Sequence, residues 1–384
     1  MSEKNINFIK NLKLQDKKLI KSCKPILEEL YKKHKKTYID LFFHEKDIEF
    51  NKIDLSNLVK TGILKKIKNK LRASVQVFPL SGKFICTDFI YSKYRKIGKT
   101  YKTQRDGVWG ILPEETPIMA KKSIVRENDF VLDLATGSGM IGIFCADKAK
   151  KVIVTDINPK AIHYAKFNAI LNDVDKKMEF KTGSLFNPVK GIKFDLIIWN
   201  GPTVAVPETP EKYPIYSYGG MDGAEFTRKF IDEAFNYLKP KGRLQWYDCA
   251  VGTKDIPVSM EYLKRKWKNK KIKVIFNSLT NNPVLLRKSF EIFDKYNLNQ
   301  PGFKTPLSCI PITKKEEQRW KNWLGERGYT HFYYAVVEVY QSSKFEFKMN
   351  FPRKDIRTDR YLTRDWLWIS YPTILKKLAK CEYL

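Results

Sequence analysis

The 384-residue sequence predicts an α/β protein built on an open, mostly parallel sheet. Three observations lead there. Short apolar runs of strand length alternate with helix-compatible stretches through the middle of the chain. The first run, Phe130-Val131-Leu132-Asp133-Leu134, passes directly into Ala135-Thr136-Gly137-Ser138-Gly139, where glycines permit a tight turn and close approach of a ligand to the backbone. The second, Val152-Ile153-Val154-Thr155, ends in Asp156, a carboxylate about 20 residues after the first glycine, where a ribose-binding acid belongs. Phe130 to Asp156 therefore reads as a βαβ unit for an adenosine-containing ligand.

Composition narrows the class. The chain is long enough for more than one domain and has no run approaching the roughly 18 apolar residues of a membrane span. Its start, MSEKNINFIK, lacks a signal-peptide core, and the six cysteines are scattered without a C-x-x-C pair. The expectation is a cytoplasmic protein with free thiols and no metal site. A formal net charge of +30 invites a polyanionic partner such as RNA. The lysines are spread along the chain and greatly outnumber the arginines, so compositional bias is an equal explanation.

In chain order, Asn5 to Phe43 has helical periodicity, and Leu55 to Lys60 begins a short helix ending near Gly62. Leu71 to Phe78 alternates like a strand, Ser81-Gly82 turns, and Lys83 to Asp88 returns, a winged-helix-like pattern. Tyr91 to Lys102 reads as a basic, aromatic linker. The loop Gly107 to Pro117 precedes a helix at Ile118 to Val125. Beyond Asp156, Asn158-Pro159 caps a helix at Lys160 to Asn172. Met178 to Lys181 is a third strand, and the nearly all-apolar Phe194 to Trp199 a central fourth.

That fourth strand ends in Asn200-Gly201-Pro202-Thr203, at the sheet edge where open α/β folds place their chemistry. A loop with Tyr213, Tyr216 and Tyr218 follows, then Gly219-Gly220-Met221-Asp222-Gly223 and a helix from Ala224 to Leu238, stopped by Lys239-Pro240-Lys241-Gly242. Arg243 to Asp248 is the fifth strand, Met260 to Lys268 a helix, Ile272 to Phe276 the sixth strand. Residues 283–311 read as an insertion with a helix at Leu285 to Tyr296. Glu316 to Leu324 is helical and His331 to Tyr340 the seventh strand. The domain division is 1–90 accessory, 91–341 catalytic and 342–384 an unassigned tail.

D-L-x-T-G-S-G after one strand, T-D-I-N-P after the next, F-D-L-I-I-x-N-x-P, and G-G-x-D-G before a helix ending L-K-P-x-G together resemble the small-methyltransferase superfamily. That group belongs to the class I S-adenosylmethionine-dependent methyltransferases. The resemblance runs from Tyr91 to Tyr340 with gaps. It implies a Rossmann-like seven-stranded sheet and S-adenosyl-L-methionine as cofactor. By the same resemblance the cofactor is held by Thr116, Asp133, Thr136, Gly137, Ser138, Gly139, Asp156, Ile157, Ser184, Leu185 and Asn200. Asp133 is expected near the methionyl ammonium through the loop, Asp156 on both ribose hydroxyls, Ser184 and Leu185 at the adenine.

The superfamily normally carries Asn-Pro-Pro-Tyr or Asn-Pro-Pro-Phe after the fourth strand. A planar amino group is a poor nucleophile because its lone pair is delocalised. The Asn carbonyl and the next backbone carbonyl accept its two N–H bonds and turn the lone pair toward the methyl. Here Asn200, Gly201 and Pro202 keep those roles, but Thr203 stands where the aromatic shelf belongs. Tyr213, Tyr216 or Tyr218 is then expected to fill the gap. The acceptor stays open between a nitrogen on RNA or a translation protein and a small molecule or peptide; a third reading is a non-catalytic RNA-binding module.

Overall fold

A computed structural model describes residues 12–89, 96–97, 100–101, 105–108, 115–207, 214–286 and 313–354. The helix expected over 5–43 is two helices, α1 (Lys17–Lys33) and α2 (Lys35–Phe42). The chain breaks at His34 (φ −127°, ψ 44°), whose ring packs edge-on against Phe50 at 5.1 Å. No glycine or proline marks this break, so periodicity alone runs through it.

After α3 (Ser56–Lys60), the single strand expected over 71–78 divides between two hairpins: β1 (Leu64–Ile67) with β2 (Lys70–Ala73), and β3 (Gln76–Leu80) with β4 (Lys83–Thr87). The split falls at Ser74, whose N–H turns away to the Ile63 carbonyl at 2.9 Å. Ser81 and Gly82 are both left-handed (φ 47° and 73°), as a two-residue hairpin loop demands. The β4 edge is closed by side chains of the helix that follows the second sheet strand. Asn172 Oδ1 accepts from the Phe84 N–H and Asn172 Nδ2 donates to the Phe84 carbonyl, while Asn168 does the same for Cys86, all at 2.8–3.0 Å. Two buried amides thus act as a surrogate strand and satisfy backbone groups that burial would otherwise orphan.

The short pair β5 (Lys96–Ile97) and β6 (Thr100–Tyr101) precedes α4 (Glu115–Lys121). The sheet then forms from β7 (Phe130–Leu134), α5 (Met140–Cys145), β8 (Lys151–Asp156), α6 (Pro159–Leu171), β9 (Met178–Thr182) and β10 (Phe194–Trp199). It continues through α7 (Glu225–Glu233), β11 (Leu238–Gly252), α8 (Val258–Trp267), β12 (Ile272–Ser278), β13 (Val284–Leu285), α9 (Lys314–Glu326), β14 (His331–Gln341) and β15 (Glu346–Asn350). The order is β15-β12-β14-β11-β10-β7-β8-β9, with β13 beside β14. β9, β8, β7, β10 and β11 are parallel neighbours, and β14 runs antiparallel to β11 and β12.

All seven expected strands lie in this Rossmann-like sheet. β13 and β15 extend it, β15 being drawn from the stretch after Gln341 that the sequence leaves unassigned. The Lys239 to Gly242 stop signal is a bulge inside β11, with Lys241 left-handed (φ 64°) and the pairing to β10 shifted beside it. Of the helix expected at 285–296, Leu285 instead ends β13, and residues 287–296 lie outside the described residues.

Side chains of the central strands alternate between two layers, as a sheet covered on both faces requires. Val131, Val152, Val154, Leu196 and Ile198 face α5, α6 and the N-terminal elements. Leu132, Leu134, Ile153, Ile197 and Trp199 face α7 and α8, packing with Phe230, Met260 and Trp267. Since β8 and β9 lie on one side of β7 and β10 on the other, the strand order reverses between β7 and β10. A crevice opens there, at the carboxyl ends of the strands. Among the described residues no helix is long and apolar enough to cross a membrane.

Candidate active site

That crevice is a cavity of about 240 Å³. Its floor on the β7 side is the turn 135–139. Ala135, Gly137 and Gly139 are left-handed (φ 58°, 56° and 84°), so the chain curls tightly with its amides inward. Two glycines also answer to packing: a Cβ on Gly139 would stand 2.9 Å from Ala165 Cα, and one on Gly142 would stand 2.7 Å from Val154 Cγ1. Helices α5 and α6 can therefore sit close behind the turn.

Asp133 is fully buried beneath this turn. Its Oδ2 accepts from the Thr136 hydroxyl at 2.5 Å and from the Gly142 N–H at 2.9 Å. Burial pushes its carboxyl up to about 7, against the pull of those two hydrogen bonds, with the Asp156 charge adding to the rise. Asp133 does not line the cavity, and neither does Gly139. The Asp133 carboxylate stands behind the turn and braces it, so the turn lies between Asp133 and the cavity.

Asp156 does line the cavity. Its Oδ2 accepts from the Gly137 N–H at 2.9 Å and its Oδ1 from the Asn158 N–H at 2.8 Å. Each oxygen keeps acceptor capacity toward the cavity, and burial raises the carboxyl above its ordinary value. Beside it Ile157 is 55% exposed, an apolar side chain presented to the opening. Leu185, held left-handed (φ 44°), and Ser184 form the facing lip. Thr136, Gly137 and Ser138 complete this wall. Ser138 Oγ and Thr155 Oγ1 are buried behind this wall with no protein partner.

The opposite wall begins where β10 ends. Asn200, Gly201, Pro202 and Thr203 all line it, and Asn200 Nδ2 donates to Thr116 Oγ1 at 3.2 Å. That bond joins α4 to the strand end and leaves the Asn200 carbonyl oxygen for an incoming N–H. Gly201 has a steric cause invisible in the sequence: a Cβ there would lie 2.1 Å from Trp199 Nε1. The indole, stacked on Phe230 at 5.2 Å, fills the space a proline ring would need.

Residues 203–206 are clamped by the glycine-rich segment. Val204 N–H bonds the Ser217 carbonyl, Gly219 N–H bonds Val204, and Val206 N–H bonds Gly220, all at 2.8–3.0 Å. A Cβ on Gly219 would meet Thr203 C at 2.6 Å, and one on Gly223 would meet the Thr203 and Cys249 carbonyls at 2.6 and 2.7 Å. Of the three tyrosines expected to replace the missing aromatic, Tyr216 lines the cavity. Tyr218 packs aside on Phe226 at 6.5 Å, and Tyr213 lies outside the described residues. Sequence reasoning missed Val108, Asn158 and Cys249, which also line the cavity. Asn158 carried a signal, its cap position directly after Asp156 and Ile157.

Comparison with known proteins agrees with this geometry. The chain is 41% identical over 138 residues to a putative protein N5-glutamine methyltransferase of Methanocaldococcus jannaschii, covering 35% of this chain and 68% of that one. It is 32% identical over 197 residues to the release factor glutamine methyltransferase of Aquifex aeolicus, covering 48% and 68%. Among solved structures, a ribosomal protein L11 methylase of Lactobacillus delbrueckii subsp. bulgaricus matches at 22% identity and a TM-score of 0.30, over 41% of this chain and 67% of that one. A family model described as a methyltransferase domain matches residues 126–327, more than half of the 384 residues. With the turn, the paired acids and the Asn-Gly-Pro-Thr strand end all inside that span, the chain belongs to this methyltransferase family.

Proposed function

We propose that the protein methylates a planar nitrogen, the side-chain carboxamide of a glutamine in a translation protein, with S-adenosyl-L-methionine as methyl donor. The observation that carries this reading is the Asn200–Thr116 bond, which engages the amide nitrogen at the crevice wall and leaves the carbonyl oxygen as an acceptor. The glutamine methyltransferases among the relatives support the choice of a carboxamide. A cytoplasmic location follows from such a substrate.

The residues present fit the cofactor. Asp156 keeps two acceptor positions for two ribose hydroxyls, and Ile157 and Leu185 offer apolar faces to either side of an adenine. The left-handed turn suits the polar end of the molecule. When bound, S-adenosylmethionine supplies a methyl group on a positively charged sulfur.

The chain's own part is positioning. The Asn200 side-chain carbonyl accepts one amide N–H and the Gly201 carbonyl the other, which turns the nitrogen lone pair toward the β7–β8 wall. Thr116 prevents the Asn200 amide from rotating. Tyr216 offers the flat surface that Thr203 cannot. Holding two reactants in attack geometry accounts for up to about 7–11 kcal/mol of a barrier, and no covalent intermediate is required.

The test is Asn200→Ala. Calorimetry with S-adenosylhomocysteine should show unchanged affinity, while methyl transfer to a glutamine-containing release-factor peptide falls by about 10²-fold, the usual cost of losing one aligned hydrogen-bonding group at a reacting centre. Transfer at the parental rate would remove Asn200 from the site. Transfer to RNA but to no peptide would replace the carboxamide with an exocyclic base amine.

A further inference from the structure

Asp88 directly follows β4, and its largely buried carboxylate collects bonds from two other parts of the chain. Oδ2 accepts from the Val108 N–H at 2.7 Å and lies 2.7 Å from Lys160 Nζ. Oδ1 accepts from the Tyr164 hydroxyl at 2.9 Å. The Asp88 N–H returns a bond to the Val108 carbonyl at 3.2 Å. Lys160 and Tyr164 stand one turn apart on α6, so both project toward the same carboxylate.

Val108 and Gly107 are cavity wall. The strip 105–108 forms no helix or strand, so its backbone groups must be met from outside. Besides the two bonds to Asp88, Asn158 Nδ2 donates to the Asp106 carbonyl and the Ile215 N–H to the Arg105 carbonyl, both at 2.9 Å. The strip therefore bridges the Asp156 side of the cavity and the loop that follows Thr203. The β3–β4 hairpin does not depend on Asp88 for docking: Asn168 and Asn172 already pair its edge, and Lys83 reaches Asp147 at 2.8 Å.

We propose that Asp88 is a positioning residue for cofactor binding. The N-terminal hairpin supplies the carboxylate that fixes 105–108 as the outer wall of the cofactor cavity, with Lys160 and Tyr164 holding that carboxylate in place. The hairpin is then part of the catalytic unit. This rests on the cavity being the S-adenosylmethionine site.

The experiment uses the full chain, Asp88→Ala and Tyr164→Phe, titrated calorimetrically with S-adenosylhomocysteine. Hydrogen exchange of the peptide spanning 105–108 and urea unfolding are followed in the same samples. Asp88→Ala should weaken the nucleoside about tenfold and Tyr164→Phe about threefold, in line with the loss of hydrogen bonds to a charged group. In both, exchange at 105–108 should rise while exchange in β7 and β10 stays at the parental level. Parental affinity in both variants with an unchanged 105–108 peptide would overturn the proposal. So would an affinity loss matched by general exchange across the sheet, which marks a purely structural role. If Asp88→Ala does not fold, Tyr164→Phe decides alone. A parental chain that fails to bind the nucleoside would instead remove the cofactor reading, and this proposal with it.

Discussion

The β7–β8 wall of the cavity is held by contacts between residues 3 to 19 apart in the chain, Asp133 with Thr136 and Asp156 with Gly137. Across the crevice, the wall after β10 depends on Thr116 meeting Asn200, 84 positions away, and on glycines at 219 and 223 closing over Thr203. The core of the first wall is a local device, to which residues 105–108 are added from earlier in the chain through Asp88 and Asn158. The second exists only once the sheet, α4 and the tyrosine-bearing loop have come together.

If the two walls are separable, each should fail in its own way. The largest expected effect is Asp156→Ala. Removing the carboxylate takes away the acceptors proposed for the ribose, the anchor of the turn at Gly137 and the bond to the Asn158 N–H. Affinity for S-adenosylhomocysteine should fall by more than about 10²-fold by calorimetry, and retained affinity would break the comparison at its first wall. On the second wall, Gly201→Ala forces a methyl against the Trp199 indole. It should cost about 1–3 kcal/mol in urea unfolding, with much of the loss recovered in a Trp199→Leu background. Equal losses in both backgrounds would show that glycine is needed there for some reason other than the indole.

A difference in titration sharpens the contrast. Asp133, bracing the first wall, is raised to about 7 by burial. Its folded value lies above its unfolded one, so the native state binds the proton more tightly between about pH 4 and 7. Stability should accordingly fall as pH rises through that window and level off above it. The loss between pH 5 and 7.5 should be on the order of 2 kcal/mol. Asp133→Asn can still accept from Thr136 and Gly142, and should flatten that part of the profile. An unchanged slope in the variant would assign it to other groups.

The same contrast explains what was legible in the sequence. The strand-turn-helix of 130–145, Asp156 and the seven strands were readable because their signals lie within single windows of pattern. Asn200 was readable from its place at a strand end. The cause of Gly201 was not, because it depends on the rotamer of Trp199, which is set by stacking on the distant Phe230. Asp133 was readable by its spacing to the turn, but not the bonds to Thr136 and Gly142 by which it braces that turn. The hairpin 76–87 was visible as a hairpin, yet its partners Asn168 and Asn172 sit 82 to 88 residues away, beyond any periodicity.

The smallest expected effect tests whether the second wall positions an acceptor at all. Thr116→Val keeps the shape of the side chain and deletes the oxygen that receives the Asn200 amide. The Asn200 side chain can then rotate, and its carbonyl faces the acceptor for only part of the time. Since one neutral hydrogen bond contributes about 1 kcal/mol, kcat should drop about five- to tenfold. Affinity for the cofactor should hold within twofold if Thr116 serves Asn200 alone, and a larger loss would mark it as one of the cofactor-holding residues that the resemblance implies. A Thr116→Ser variant, which restores the oxygen without the methyl, should recover most of the rate. A rate lost in both variants would point to packing of α4, and a rate lost in neither would mean that the sheet edge alone holds Asn200 in register.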